Sequence, residues 1–199
     1  MAEAYPRLVF LGTGGGAHAG RCHAAIAVQL APQQSLLLDT AGGFEVVRNL
    51  ARTGIDLRSV TRIFLSHRHS DHLGGLEPLL LHIGLQALWG GHSGDSGADL
   101  YLYGHPQVLQ AAQTIIEAMA SAAPQFLDQV GTRLHWSPLT PDTPVDIWPH
   151  VRLTPFAADH VPEDGTALGC VVEWEHREHR RRIVYTGDTR PLPALPRLA

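Results

Sequence analysis

The sequence predicts an α/β (α+β) protein in which helices pack outside a layered sheet core. Three observations lead there. Short apolar runs at the start, "RLVFLG", "AAIAVQL" and "SLLLDT", follow one another as a meander of strands. After them, strand patterns alternate with helical patterns. The helical segments carry their apolar residues at helical spacing, so each has one face to bury.

Taken in order, the first strand covers about Leu8 to Leu11 and breaks into the glycines of "GTGGG". Ile26, Val28 and Leu30 alternate, a period of two that predicts the next strand. "SLLLDT" is continuously apolar up to Asp39, as a strand covered on both faces should be. "GFEVVRNLARTG" places Phe44, Val47, Leu50 and Ala51 on one helical face, and Gly54 stops it as a C-cap. "VTRIFLSH" is a strand. "LEPLLLHIGLQALW" is a helix burying Leu76, Leu79, Leu80 and Ile83, and "GGHSGDSGADL" is a loop by composition. "LYLYG" is a strand, and Pro106 then stands where the first turn of a helix tolerates it. That helix carries Val108, Leu109, Ala112, Ile115, Ile116 and Met119 as core. Short strands are expected in the proline-rich stretch from Thr132 to Pro155. "VRLTPFAADH", "ALGCVVEW" and "RIVYTGD" supply three more, the last two pairing as a hairpin across "EHREHRR".

Composition narrows the function. The chain has 199 residues, 44% of them hydrophobic and 17% charged, which describes a globular protein. No run reaches the ~18 apolar residues of a membrane span, and no signal peptide opens the chain, so a cytoplasmic protein is expected. A net charge of −4 argues against a broad nucleic-acid face. All 15 basic residues are arginine, so an anion clamp would have to use guanidinium groups or backbone N–H groups. Cys22 and Cys170 stand far apart, outside any CxxC spacing, and read as unpaired thiols.

The compositional outlier is histidine, with 13 residues. Some are ordinary: His82 falls inside a helix, and His176 and His179 fall in a charged turn. "IFLSHRHSDHLGGL" is different, because His67, His69, Asp71 and His72 crowd the end of a strand. In an extended segment, side chains two apart point the same way, so His67 and His69 can grip one ion. Asp71 and His72 lie where the chain turns and can face a second ion. Gly74 and Gly75 allow that turn. Imidazole and carboxylate are ligands for zinc, with manganese or iron as substitutes.

At this point the chain resembles a known family. "SHRHSDHLGGL" is similar to the signature of the metallo-β-lactamase-fold hydrolases. "FLGTGGG", "LLLDTAGG", "DHVPEDGTALGCVVEW" and "IVYTGDT" resemble, in order, further motifs of the ribonuclease Z-like, phosphodiesterase branch. The resemblance implies a four-layer αββα sandwich with a dinuclear centre at the sheet edge. His67, His69 and His160 would bind one ion, and Asp71, His72 and the bridging Asp188 the other. Two zinc ions per site would hold a bridging hydroxide, and Asp71 would act as the catalytic residue that orients it or takes its proton. Asp39 would hold a ligand imidazole from behind. Read on their own residues, Asp39 and Asp188 also suit strand-end turns, and His160 a surface position beside Asp159.

The resemblance also has gaps. In this family a further histidine, in a later strand, completes the second metal site. Only eleven residues follow Asp188, and none is a histidine. Residues 1–199 therefore read as one metallo-β-lactamase-like domain, C-terminally short and lacking the last strands. An incomplete sandwich exposes sheet edges and apolar faces, so a homo-oligomer is expected. The tRNA-processing members carry a long arm between the segments matched by His160 and Asp188, where this chain has only "EHREHRRR". A small-molecule phosphodiester, such as a cyclic nucleotide, fits better than tRNA, and no membrane partner is expected. The rival substrates are a lactone, thioester or sulfate ester at the same centre. A catalytically weak metal-binding protein is the other alternative.

Overall fold

β1 (Arg7–Gly12), β2 (Ala25–Ala31) and β3 (Gln34–Leu38) form the expected antiparallel meander. The structure is a computed structural model and describes residues 5–16, 18–89, 99–119, 124–160 and 165–198. From β3 onward the pairing turns parallel: β4 (Val60–Leu65), β5 (Asp99–Gly104) and β6 (Arg133–Pro138) complete a six-stranded sheet in chain order. Parallel neighbours need crossover connections, and helices supply them. These are α1 (Glu45–Arg52), the four-residue α2 (Ser70–Leu73), α3 (Leu76–Trp89), α4 (Pro106–Ala118) and α5 (Pro124–Gln129). A second sheet is antiparallel throughout, built from β7 (Val145–Trp148), β8 (Val151–Ala157), β9 (Leu168–His176) and β10 (His179–Tyr185). A short α6 (Leu195–Leu198) follows it.

The alternation of side chains along β3 explains its continuous apolar run. Leu37 joins a core with Val47, Leu50, Leu79, Leu80 and Ile116 under the helices. Leu36 and Leu38 join a second core with Phe64, Leu153, Cys170 and Val172 between the sheets. Both faces are covered, so neither can be polar.

Most elements stand where the sequence places them. Gly54 takes a left-handed φ of 71° behind α1, and Pro106 opens α4. The β9–β10 hairpin is tighter than expected. Arg177 and Glu178 both have positive φ, as a two-residue hairpin turn requires, so His176 and His179 face each other as a strand pair.

Two expectations about helix faces need correction. α1 buries Val46, Val47 and Leu50, while Phe44 sits at its N-cap, 58% exposed, and Ala51 faces outward. Met119 caps the C-terminus of α4, 47% exposed, because the helix ends before its face returns to the core. The outer face of the second sheet carries a charge ladder, Asp146↔Arg152↔Glu173↔Arg182, in direct cross-strand register. Opposite charges directly paired across the strands stabilise that part of the sheet. The expected "GGHSGDSG" loop lies outside the described residues.

Strand direction brings the chemistry to one edge. β3 and β4 run parallel, so Asp39 and the His67 segment leave the sheet side by side, tied by Asp39 N–H to the Phe64 carbonyl at 2.9 Å. β8 and β10 flank β9 and run the same way, which delivers His160 and Asp188 to a shared edge of their own sheet. The two edges are joined where Leu168 N–H donates to the Ser66 carbonyl at 2.9 Å. Gly75 lets α3 begin against the loop after β3. A Cβ there would lie 1.8 Å from the Thr40 carbonyl oxygen.

Candidate metal centre

His67 follows β4 and is 2% exposed. His69, two residues on, keeps an extended backbone as the N-cap of α2. Their nearest ring nitrogens, His67 Nε2 and His69 Nδ1, lie 3.1 Å apart, and His160 Nε2 lies 3.1 Å from the same His69 Nδ1. Three imidazole nitrogens at this spacing match the edge of a ligand tetrahedron. For nitrogens ~2.0–2.1 Å from zinc that edge is about 3.3 Å.

A second group shares His67 and adds His72 and Asp188. His72 is wholly enclosed, and its Nε2 has no hydrogen-bond partner among the described residues. That nitrogen faces Asp188 Oδ1 at 3.4 Å and Asp71 Oδ2 at 3.5 Å. A buried, unpartnered ring nitrogen costs free energy unless something binds it, and the carboxylates around it are cation ligands. The residues present therefore fit a metal. His67 Nε2 offers a single lone pair and can serve only one ion, so the two groups could hold one ion each without His67 bridging them.

Asp39 lies behind both groups. It is fully buried, with a left-handed φ of 57° that turns its side chain back toward the cluster. Its Oδ1 accepts the Ser66 N–H at 2.7 Å. Its Oδ2 accepts from Ser66 Oγ at 2.6 Å, His72 Nδ1 at 2.6 Å and Tyr185 Oη at 2.5 Å. Asp71 is tied from the other side, where its Oδ2 accepts the Gly16 N–H at 2.7 Å. The glycine loop after β1 thus closes on a candidate ligand.

These contacts set the charges. Burial, and then the nearby His72, hold His67 down at about 4, so its ring is neutral at ordinary pH. Burial opposes charge on His72, but the Asp39 hydrogen bond and the surrounding carboxylates outweigh it and raise its pKa. For Asp71, burial is likewise outweighed by His72 and the Gly16 N–H, and its carboxyl titrates below the usual range. Burial beside Asp39 pushes the Tyr185 hydroxyl well up, so it stays a donor.

All seven residues singled out from the sequence, His67, His69, Asp71, His72, His160, Asp188 and Asp39, converge here. Sequence reasoning missed Ser66, Tyr185 and Gly16. Ser66 stands in plain view beside the cluster. Tyr185 and Gly16 become relevant only once their segments are folded over it. A cavity of about 700 Å³ lies at the far end of the sandwich, bounded by Arg62, Trp148 and Trp174. There the Arg62 guanidinium lies 3.8 Å above the Tyr101 ring and closes the inter-sheet core.

An αββα-type pair of sheets with a histidine–aspartate cluster at their joined edge defines a metallo-β-lactamase-fold, ribonuclease Z-like protein. Comparison with known proteins agrees. The chain is 24% identical to ribonuclease Z of Mycolicibacterium gilvum over 172 residues, 83% of this chain and 55% of that one. It is 36% identical to ribonuclease Z of Lactobacillus helveticus over 104 residues, 52% of this chain and 31% of that one. It therefore spans about half the length of the first relative and a third of the second. Among solved structures, human tRNase Z, short form, superposes with a TM-score of 0.62 at 18% identity, covering 89% of this chain and 67% of that one. Zinc-bound PqqB from Methylobacterium extorquens gives 0.61 at 15%, covering 88% and 63%. The chain belongs to the family described as Anti-Pycsar protein Apyc1, whose model matches residues 6–197. Among the described residues no helix is long and apolar enough to cross a membrane.

Proposed function

We propose that this protein is a metal-dependent phosphodiesterase acting on a small phosphodiester such as a cyclic nucleotide. The observation that carries the reading is the buried His72 Nε2, unpartnered and faced by Asp71 and Asp188, beside the His67–His69–His160 group. His67, His69 and His160 would hold one ion; His72, Asp71 and Asp188 would hold the second, with Asp188 between them. Two ions, zinc or else manganese or iron, supply an activated water and offset charge on the phosphoryl oxygens. Asp71, ionised and braced by Gly16, is placed to orient that water or accept its proton. Asp39 holds the His72 ring from behind.

Phosphodiester chemistry is supported by the names of the ribonuclease Z relatives. A small substrate is supported by the two-residue turn where the tRNA-processing members of the resembled family carry an arm, and by the net charge of −4. A homo-oligomer belongs to the same reading, since Leu8 and Phe10 on the edge strand β1 are 43% and 59% exposed. Light scattering of the purified protein tests it.

The decisive experiment loads chelator-stripped protein with zinc or manganese and assays bis-(p-nitrophenyl) phosphate and cyclic nucleotides against nitrocefin and a thioester. Turnover of the phosphodiesters alone is expected. Hydrolysis of nitrocefin or the thioester alone would overturn the phosphodiesterase reading. No turnover with one tight ion would mean a metal-binding protein.

A further inference from the structure

We infer that Ser66 and Tyr185 are positioning residues that work through Asp39, and that this one carboxylate sets the proton position on a histidine of each metal group. The inference deepens the metal reading of the same site, but its first test needs no metal.

A carboxylate buried among donors can only accept. The Ser66 hydroxyl, 2.6 Å from Asp39 Oδ2, must therefore donate to it. Its single proton is then used. The contact between Ser66 Oγ and His67 Nδ1 at 2.9 Å is left with the imidazole as donor. His67 is thus held as the Nδ1–H tautomer, and Nε2, the nitrogen facing His69, keeps its lone pair. His72 reaches the same state directly, since its Nδ1 donates to Asp39 Oδ2 at 2.6 Å and leaves Nε2 bare. One acceptor orients two rings, one at first hand and one through a serine.

Tyr185 contributes a different constraint. Asp39 Oδ2 takes three donors, and the phenol is the one from the second sheet. Its ring stands edge-on to Phe64, so the hydroxyl can be removed with the packing kept. Ser66 is confined on its remaining side as well. Gly187, at a φ of 55°, lies so close that a Cβ there would come within 2.9 Å of the Ser66 Cβ. Ser66 and Tyr185 thus meet at Asp39 from opposite sheets, and the acceptor stays fixed only while both sheets are in place.

The test is nitrogen-15 NMR of the histidine rings in chelator-stripped protein, wild type, Ser66→Ala and Tyr185→Phe, followed by zinc titration of each. In the wild type, at alkaline pH where the His72 ring is neutral, His67 and His72 are expected as pure Nδ1–H tautomers. Ser66→Ala should turn His67 into a tautomer mixture and keep the His72 tautomer, moving only its Nδ1–H proton resonance. Tyr185→Phe should keep both tautomers but move the His72 Nδ1–H proton resonance, because one competing donor has gone. Zinc affinity should fall about 10–100-fold in either variant, as it does when an outer hydrogen-bond partner of a metal-bound histidine is lost. A wild-type His67 protonated at Nε2 would overturn the inference, as would a His67 unmoved by Ser66→Ala or a His72 proton unmoved by Tyr185→Phe. Should Ser66→Ala fail to fold, the wild-type and Tyr185→Phe spectra still decide. Failure to bind zinc with the tautomers as expected would sink the metal reading and leave the hydrogen-bond assignment standing.

Discussion

His69 and His160 reach the cluster from the solvent side, whereas His72 reaches it from inside the protein, and the two groups share only His67. His69 is exposed and His160 partly so. Among the described residues, their ring nitrogens have hydrogen-bond contacts only within the cluster. His72 is enclosed, bonded to Asp39 and flanked by two carboxylates. The difference teaches that the outer group is three imidazoles assembled from distant chain segments. The inner group is anchored in the core through His67 and His72, while Asp188 closes it from the solvent side with 39% of its side chain exposed. An ion in the outer group should exchange quickly, and one in the inner group slowly.

The largest effect should come from the shared residue. His67→Ala is expected to empty the His67–His69–His160 group, lowering metal content by elemental analysis by about one ion per chain. Its cost in activity should exceed the about 10–100-fold expected for an outer hydrogen-bond partner. Metal content unchanged by the substitution would show that His67 holds no ion.

Gly75→Ala attacks the support of the inner group. With a Cβ placed 1.8 Å from the Thr40 oxygen, the backbone must move, and a loss of about 3 kcal/mol in chemical denaturation is expected.

Acid acts next, through His67. His67 titrates at about 4 in the folded protein and near 6.5 unfolded, so its contribution is complete above 6.5 and is lost as pH falls toward 4. The loss is about 3 kcal/mol in metal-free protein. His72, whose pKa is raised, contributes fully below 6.5 and declines only as pH rises through its folded value, so it does not mask the drop. Denaturation midpoints of metal-free protein across this window, against His67→Gln, should show the slope in the wild type alone.

Smaller still, His72→Ala should cost about 2 kcal/mol without metal, because Asp39 loses a donor and a cavity opens. His69→Ala should leave the unfolding transition unchanged, and equal losses would erase the contrast between the groups. Arg152→Ala, in the charge ladder far from either group, should change neither metal content nor stability measurably.

How much of this could be read from the sequence depends on the distance over which the physics acts. Strand and helix periods are local, so "SLLLDT", Gly54 and Pro106 identify their elements directly. Phe44 and Met119 were misplaced because helix ends bring their last residues back to solvent, and periodicity carries no information about where a helix stops. His67, His69, Asp71 and His72 are legible as a cluster because one strand end and one turn hold them all. His160 lies 91 residues from His69, and no spacing rule spans that, so its place rested on the family resemblance. Ser66 and Tyr185 act through hydrogen bonds made only when the two sheets meet, and their residue types alone announce nothing.

Ser66 also bears on how the protein comes apart. Its N–H and hydroxyl are bonded to the end of β3, its carbonyl to the start of β9, and its side chain rests on the turn after β10. A residue held from three directions has no private route to open. Its amide and that of Leu168 should exchange with deuterium only when the whole molecule unfolds, at the rate set by global stability. The inner group would then release its ion and lose its fold in one step, with no loosened intermediate to be captured.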